Sequence, residues 1–234
     1  MFIGHFAVGF AAKKLATKPS LGTYFLAVTF LDVLWPIFLV LGFEHVAIEP
    51  GNTAFTPLNF ISYPYSHSLL MTLVWATLFT LAYNYIRRDK EGAKILWAAV
   101  ASHWVLDAIT HRADLPLFPG SSTFVGFGLW NSIIGTVVIE GAMFVFSVFL
   151  YEEITKEKNK VGNFSFWGFV SVMTVLYIMN INGPLPPNIT ALKWTAIGAW
   201  LFLAWGYWID KNRELKTPQV EAVEQVASTP QNEN

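Results

Sequence analysis

Six stretches of the chain, 21–42, 66–86, 93–110, 129–151, 164–181 and 190–209, reach or approach the length needed to cross a bilayer; a helix needs roughly 20 apolar residues to do so. No other feature constrains the fold as strongly. In lipid every backbone N–H and C=O must pair within the protein, so isolated runs of this kind fold as helices. A soluble all-α protein with equally hydrophobic core helices would need polar sequence to coat it. Here only 13% of residues are charged, against about 25% in a typical soluble domain. The expected fold class is all-α: a polytopic membrane helix bundle of six spans. A short N-terminal helix, buried in the bundle or spanning, is added to these. Residues 1–210 form the helical domain, and the polar stretch 211–234 reads as a disordered cytoplasmic tail.

Charge placement sets the expected orientation. Lys13, Lys14 and Lys18 precede the first run, while Arg87, Arg88, Lys90 and Lys94 separate the second and third. Lys156, Lys158 and Lys160 separate the fourth and fifth, and Lys211, Arg213 and Lys216 follow the sixth. Alternating spans bring all of these to one side and leave Arg112 and Lys193 on the other. Cytoplasmic loops retain positive charge, so the Lys-rich side is expected inside, with the C-terminus. The net charge of −1 gives no basic surface for nucleic acid. The absence of cysteine excludes disulfides and thiolate metal sites. The opening segment lacks the basic start of a cleavable signal peptide. Its 12 residues before Lys13 make about 18 Å of helix, rich in the small residues that let helices pack closely in lipid. In the first run, Pro36 is expected to introduce a kink just beyond Asp32.

Ionisable groups within membrane spans cost roughly 2.5–3.5 kcal/mol each on insertion scales, so each needs a reason. Asp32 lies mid-way along the first run, His103 and Asp107 lie in the third, and Glu140 lies in the fourth. His67 and His111 stand at the outer ends of the second and third runs, and His5 sits in the N-terminal segment. His103 and Asp107, four apart, share one helix face, which His111 continues. Such a pair supplies two ligands to one metal, or a ligand and the carboxylate that orients it. An internal polar network fastening the helices together is the competing account. Three carboxylates at depth without Lys or Arg must be protonated, paired with imidazolium, or facing a cation. A divalent metal resolves the charge most directly, and imidazole with carboxylate favours zinc, with manganese and iron as alternatives.

The outer connections 43–65 and 111–128 carry Pro50, Pro57, Pro64, Pro116 and Pro119, and read as stiff. Glu44, His45, Glu49, Arg112 and Asp114 decorate them, with solvation as the default role. Arg112 stands out as nearly the sole fixed positive charge on that side, suited to orienting a substrate anion.

In Gly4-His5, Asp32 with Pro36, Ser66-His67-Ser68, Ser102-His103 followed by Asp107, and the Leu115–Pro119 segment, the chain resembles a known family. This is the membrane-bound metal-dependent hydrolases, LexA-binding and inner-membrane-associated, distantly similar to zinc-dependent phospholipase C. The resemblance covers roughly residues 1–120. The family's Pro-Asp-x-Asp segment is Leu31-Asp32-Val33-Leu34 here, and Tyr63-Pro64 stands where it has His-Arg. The resemblance implies that His5, Asp32, His67, His103 and Asp107 are metal ligands, with His111 and Glu140 as further candidates. The leading expectation is thus a bacterial-type inner-membrane hydrolase acting on a phosphoester or lipid-linked ester. Asp32 would be a bridging ligand or general base, and Arg112 a substrate clamp. A proton- or cation-coupled transporter and a non-catalytic membrane scaffold are the alternatives. The expected partners are the lipid bilayer and a lipid or phosphoester substrate; nothing in the residues points to a protein partner.

Overall fold

Caps written into the sequence start most of the helices. Ser20, Ser68, Asp89, Ser132, Asn159 and Asn188 each accept a backbone N–H from the residue three positions on. They open α2 (Leu21–Val28), α5 (Leu69–Arg87), α6 (Lys90–Thr110), α7 (Ile133–Ile154), α8 (Lys160–Asn182) and α9 (Ile189–Gly198). The remaining helices are α1 (Ile3–Leu15), α3 (Phe30–Leu41), the single turn α4 (Pro64–His67) and α10 (Leu201–Asn212). The computed structural model describes residues 1–216, so most of the polar tail expected from residue 211 lies outside the described residues. Within them, Lys211 and Asn212 complete α10 and Arg213–Leu215 form a strand.

The chain is mostly helical, and four helices are long and apolar enough to cross a membrane: α5, α7, α8 and the continuous stretch Ile189–Asn212. The bent pair α2–α3 makes a fifth if it is counted as one span. The third expected run corresponds to α6. Its 21 residues reach about 31 Å, but Lys90, Glu91 and Lys94 occupy its first turns and Asp107 lies near its far end. Three small two-stranded antiparallel sheets among the described residues were not anticipated. β1 (His45–Ile48) pairs β2 (Leu58–Ser62), β3 (Leu115–Pro116) pairs β4 (Phe124–Val125), and β5 (Thr155–Glu157) pairs β6 (Arg213–Leu215). The first two stiffen the outer connections; the third ties the start of the 155–160 loop to the end of α10.

The first span does not bend at Pro36. α3 continues through that residue, and the 54° break falls at Thr29. Thr29 adopts φ −111° and ψ 15°, and its hydroxyl donates to the Phe25 carbonyl at 2.7 Å. Such back-bonding to the preceding turn bends helices. Pro36, in the second turn of α3, removes only the donor that would meet the Asp32 carbonyl.

α1 is the buried alternative of the two expected for the N-terminal segment. It lies against α7, α2 and α6, with Phe6 and Phe10 inside a cluster of aromatic rings. Phe10 meets Phe25 edge-on at 5.0 Å between centroids, and Tyr151 at 5.3 Å. Small residues bring the neighbouring helices close. A methyl group on Gly206 of α10 would stand 3.0 Å from the Gly22 Cα of α2, the close approach by which lipid-embedded helices associate. Replacing Gly206 with Leu is expected to force α10 off α2 and to cost about 1–3 kcal/mol, measured as lowered thermal stability in detergent.

The Lys-rich ends lie together. Lys14 pairs with Glu153 at 2.6 Å, Lys13 with Asp210 at 3.2 Å, and Lys156 with Glu214 at 3.5 Å. Arg213 is buried there, its guanidinium 4.6 Å from the Phe166 ring centroid and its Nε donating to the Thr155 hydroxyl. Basic residues from three segments distant in sequence, Lys13–Lys14, Lys156 and Arg213, thus lie at one end of the bundle. The opposite end carries the β1–β2 and β3–β4 hairpins and, just beneath them, the buried histidines.

Candidate metal centre

α1, α3, α4 and α6 each contribute to one cluster. His103 and Asp107 come from successive turns of α6, and the His103 Nε2 lies 3.1 Å from the Asp107 Oδ2. From α1, the His5 Nε2 lies 3.1 Å from the Asp107 Oδ1, and its ring stacks on that of His103 with centroids 3.7 Å apart. From the end of α4, the His67 Nε2 stands 3.5 Å from the Asp32 Oδ1 and 3.8 Å from the Asp107 Oδ2. From α3, the Asp32 Oδ1 also faces the His103 Nε2 at 3.7 Å. Two overlapping triads result, His5–His103–Asp107 and Asp32–His67–His103, each with potential ligand atoms within 4.8 Å of one another. Among the described residues no Lys or Arg pairs with Asp32 or Asp107; the Met1 α-amino group donates to the Asp107 Oδ1.

The surroundings determine which nitrogen of each ring faces inward. The His103 Nδ1 lies 2.7 Å from the Val28 carbonyl. A carbonyl only accepts, so this nitrogen carries the proton and Nε2 turns to the carboxylates. The His67 Nδ1 meets the Ser66 hydroxyl at 2.7 Å, and that hydroxyl donates to the Glu44 Oε2 at 2.7 Å. Ser66 has thus spent its proton on Glu44 and accepts from His67 Nδ1–H, again leaving Nε2 inward. The His111 Nδ1 contacts the Asp114 Oδ1 at 3.0 Å, while the His111 Nε2 approaches the Asp107 Oδ1 at 4.0 Å. Burial holds the His111 imidazole below its ordinary pKa, with Asp114 and Asp107 opposing. Burial, reinforced by the Asp114 carboxylate, pushes the Tyr63 phenol well above its own, so Tyr63 keeps its proton and donates it to Asp114 at 2.6 Å.

Not every residue singled out from the sequence joins the cluster directly. The Glu140 Oε2 accepts the backbone N–H groups of Phe2 and Gly4 at 2.9 and 3.2 Å, capping α1 where no side chain at Phe2 does so. Among the described residues its Oε1 has no hydrogen-bond partner, and Glu140 is in neither triad. Arg112 bonds to Asp114 and Asn59, and so braces the loop that holds His111. Glu44 and Asp114 are not the solvated loop residues expected. Glu44 is buried, receiving Tyr65 N–H, Ser66 N–H and the Ser66 hydroxyl. His45 and Glu49 stay on the outer hairpin, where Glu49 accepts from Asn59.

Long apolar helices around ionisable residues held at depth define a multi-pass membrane protein. Residues 56–184 match the family described as YdjM inner membrane protein, and the chain belongs to that family. It is accordingly an inner-membrane protein. The match contains His67, His103, Asp107, His111, Arg112 and Glu140, while His5 and Asp32 precede it. No curated protein and no solved structure matches the chain.

Proposed function

We propose that this protein is a metal-dependent hydrolase of the inner membrane, acting on a phosphoester or lipid-linked ester at the His/Asp cluster. One observation carries the reading. The Nδ1 atoms of His67, His103 and His111 are each committed to an acceptor outside the cluster, so three Nε2 atoms point at the oxygens of Asp32 and Asp107. Lone pairs of neutral imidazoles and carboxylates at such distances repel unless a proton or a cation lies between them. A ring donating Nδ1–H to a carbonyl or carboxylate-linked group is also the arrangement that metal-ligating histidines adopt. His5, Asp32, His67, His103 and Asp107 would hold the ion, with His111 next in reach. This donor set suits zinc.

A divalent ion in such a site supplies Lewis acidity, activating water and polarising the ester. The chain's own residues handle the proton. Asp32, whose side chain is 47% exposed while His5, His67, His103 and Asp107 are at most 5% exposed, is the member able to meet substrate. It accepts a proton from water as the water oxygen bonds to phosphorus. The bond from phosphorus to the leaving oxygen breaks, and Asp32 returns the proton to that oxygen. Arg112 orients Asp114 and through it His111.

The same reading takes α2–α3, α5, α6, α7, α8 and α9–α10 as six crossings, with α6 turning its polar face inward. The Lys-rich end is cytoplasmic, as the positive-inside rule favours. Because the chain has no cysteine, single cysteines at Ser121 and Lys158 will react with an impermeant maleimide from opposite sides of the membrane; labelling from one side would sink this topology. For the chemistry, the purified protein in mixed micelles is expected to hydrolyse a fluorogenic phospholipid, to stop when treated with a chelator, and to recover with zinc. A folded, metal-free protein that moves protons across vesicle membranes without hydrolysis would favour the transporter instead.

A further inference from the structure

The cluster is closed towards the outer aqueous side. His111 packs under Trp130 at 4.2 Å and Phe60 at 4.8 Å between ring centroids, and Tyr63 lies 5.3 Å from His67. The outer hairpin β1–β2, which carries Phe60, lies over this aromatic layer. The way in lies elsewhere. Asp32 lines a cavity of about 150 Å³ whose other walls, apart from Thr29, are apolar.

This cavity lies where the bent α2–α3 pair meets the last apolar stretch. α2 and α3 are bent by 54° at Thr29, whereas Ile189–Asn212 runs on through Ala199–Trp200, where only the bonding tightens: the Trp200 N–H meets the Ile197 carbonyl and the Phe202 N–H the Ala199 carbonyl, both at 3.0 Å. α9 leans on α3 while α10 leans on α2, and Thr29, Ala199 and Trp200 line the cavity, with Phe2 and, in α1, Phe6 behind them. Thr29 and Ala199–Trp200 both fall within apolar segments of spanning length. The opening therefore faces the side of the bundle at bilayer depth. Ala196 and Ala199 keep the wall thin, since a larger side chain at either would project into the space.

We propose that substrate enters sideways from the bilayer through this cleft between α3 and α9–α10, and that it is a glycerophospholipid. This rests on the hydrolase reading above. At about 150 Å³ the cavity is too small for a whole lipid but has room for the ester linkage. The linkage reaches Asp32 while the acyl chains remain in the cleft and the surrounding lipid. Apolar walls leading to one carboxylate exclude a free polar ester, whose hydration nothing in the passage replaces. The 54° bend between α2 and α3 supplies the width that two straight, packed helices would deny.

The test uses the full chain in nanodiscs of phosphatidylethanolamine and phosphatidylglycerol containing a phosphatidylglycerol probe with a diazirine near the carboxyl end of one acyl chain. Cross-links mapped by mass spectrometry are expected to concentrate at Val33, Ala199, Trp200 and Leu203. They should exceed those at the lipid-facing Leu73, Leu78 and Leu81 of α5, and fall to that background in Ala199→Trp. In the same preparations Ala199→Trp should retain the parent's metal content and lose phospholipid hydrolysis by roughly a hundredfold, the scale that misplacing a reacting group by about 1 Å brings. Ala196→Leu, a smaller obstruction, serves where the tryptophan variant does not fold. Uniform labelling around the bundle, or parental hydrolysis by a folded and obstructed variant, overturns the lateral route. Cleft-specific labelling of a parent that holds no metal and cleaves nothing would instead overturn the hydrolase reading and leave the lipid cleft standing.

Discussion

Zinc at a hundred times its dissociation constant will raise the melting temperature of the detergent-purified, metal-stripped protein and leave that of His103→Ala unmoved. A ligand bound only by the folded state at that excess contributes about 2.7 kcal/mol, roughly 5–10 °C for a chain of this size. His103 is the residue common to both triads, so its removal takes a ligand from each. The opposite outcome has a clear structural meaning. If His103 serves only to bind Asp107 across a polar network, the parent will not respond to zinc. The variant will then melt lower by the cost of leaving the Val28 carbonyl and Asp107 short of a partner, about 1–3 kcal/mol each. The two accounts thus differ in which protein zinc moves, and both variant and parent are informative. Hydrolysis should follow the metal, falling in His103→Ala to the chelator-treated baseline.

Glu44→Ala is expected to weaken zinc binding by about 10–100-fold while leaving every proposed ligand in place. Glu44 touches none of the cluster. It takes the proton of the Ser66 hydroxyl, so that Ser66 accepts from the His67 Nδ1–H and the ring presents Nε2 to Asp32. Without the carboxylate, Ser66 is free to donate to Nδ1, favouring the tautomer whose Nε2 carries hydrogen and cannot ligate. The same substitution strips the buried Tyr65 and Ser66 N–H groups of their acceptor, so stability falls as well, by about 1–3 kcal/mol for each lost bond. Glu44→Gln separates these effects. Its carbonyl still accepts the backbone N–H groups, so most stability returns, while its weaker acceptor holds the Ser66 proton less firmly. Zinc titration followed by calorimetry distinguishes them: equal affinity in Glu44→Gln, Glu44→Ala and the parent would remove Glu44 from the site.

Much of the fold is legible because the forces that make it are local. Apolar runs of spanning length mark most of the long helices, and a Ser, Asp or Asn before each of six helices marks where it begins. Lysine placement collects at one end the residues that the structure pairs there, Lys13 with Asp210 and Lys14 with Glu153. The bend of the first span was not legible at its true position. Proline is the familiar kinking residue, yet Pro36 lies where α3 continues, and the Thr29 hydroxyl, chemically ordinary in sequence, competes for the Phe25 carbonyl. The centre is legible only in part. His103 and Asp107 reveal themselves by four-residue spacing on one helix, and the remaining members by being ionisable where lipid makes ionisation costly. Glu44, Ser66, Tyr63 and Asp114, which orient the rings, belong to loops and follow from tertiary packing of β1–β2 and β3–β4, which no periodicity encodes. Glu140 shows the reverse. Its depth suggested a further ligand, and the structure shows its Oε2 accepting the N–H groups that open α1, a role that follows only from the packing of α1 on α7.

The central claim is that Asp32, Asp107 and the inward-facing Nε2 atoms hold a divalent metal. Elemental analysis by inductively coupled plasma mass spectrometry tests it most directly, on full-length protein purified without a metal-affinity step and equilibrated with zinc before removal of free ion. The account predicts stoichiometric zinc in the parent and its loss in both His103→Ala and Asp107→Ala, each checked for folding by its monodisperse elution. A folded parent that retains only trace metal after that equilibration would contradict it, and would leave the cluster as a protonated polar network joining α1, α3, α4 and α6.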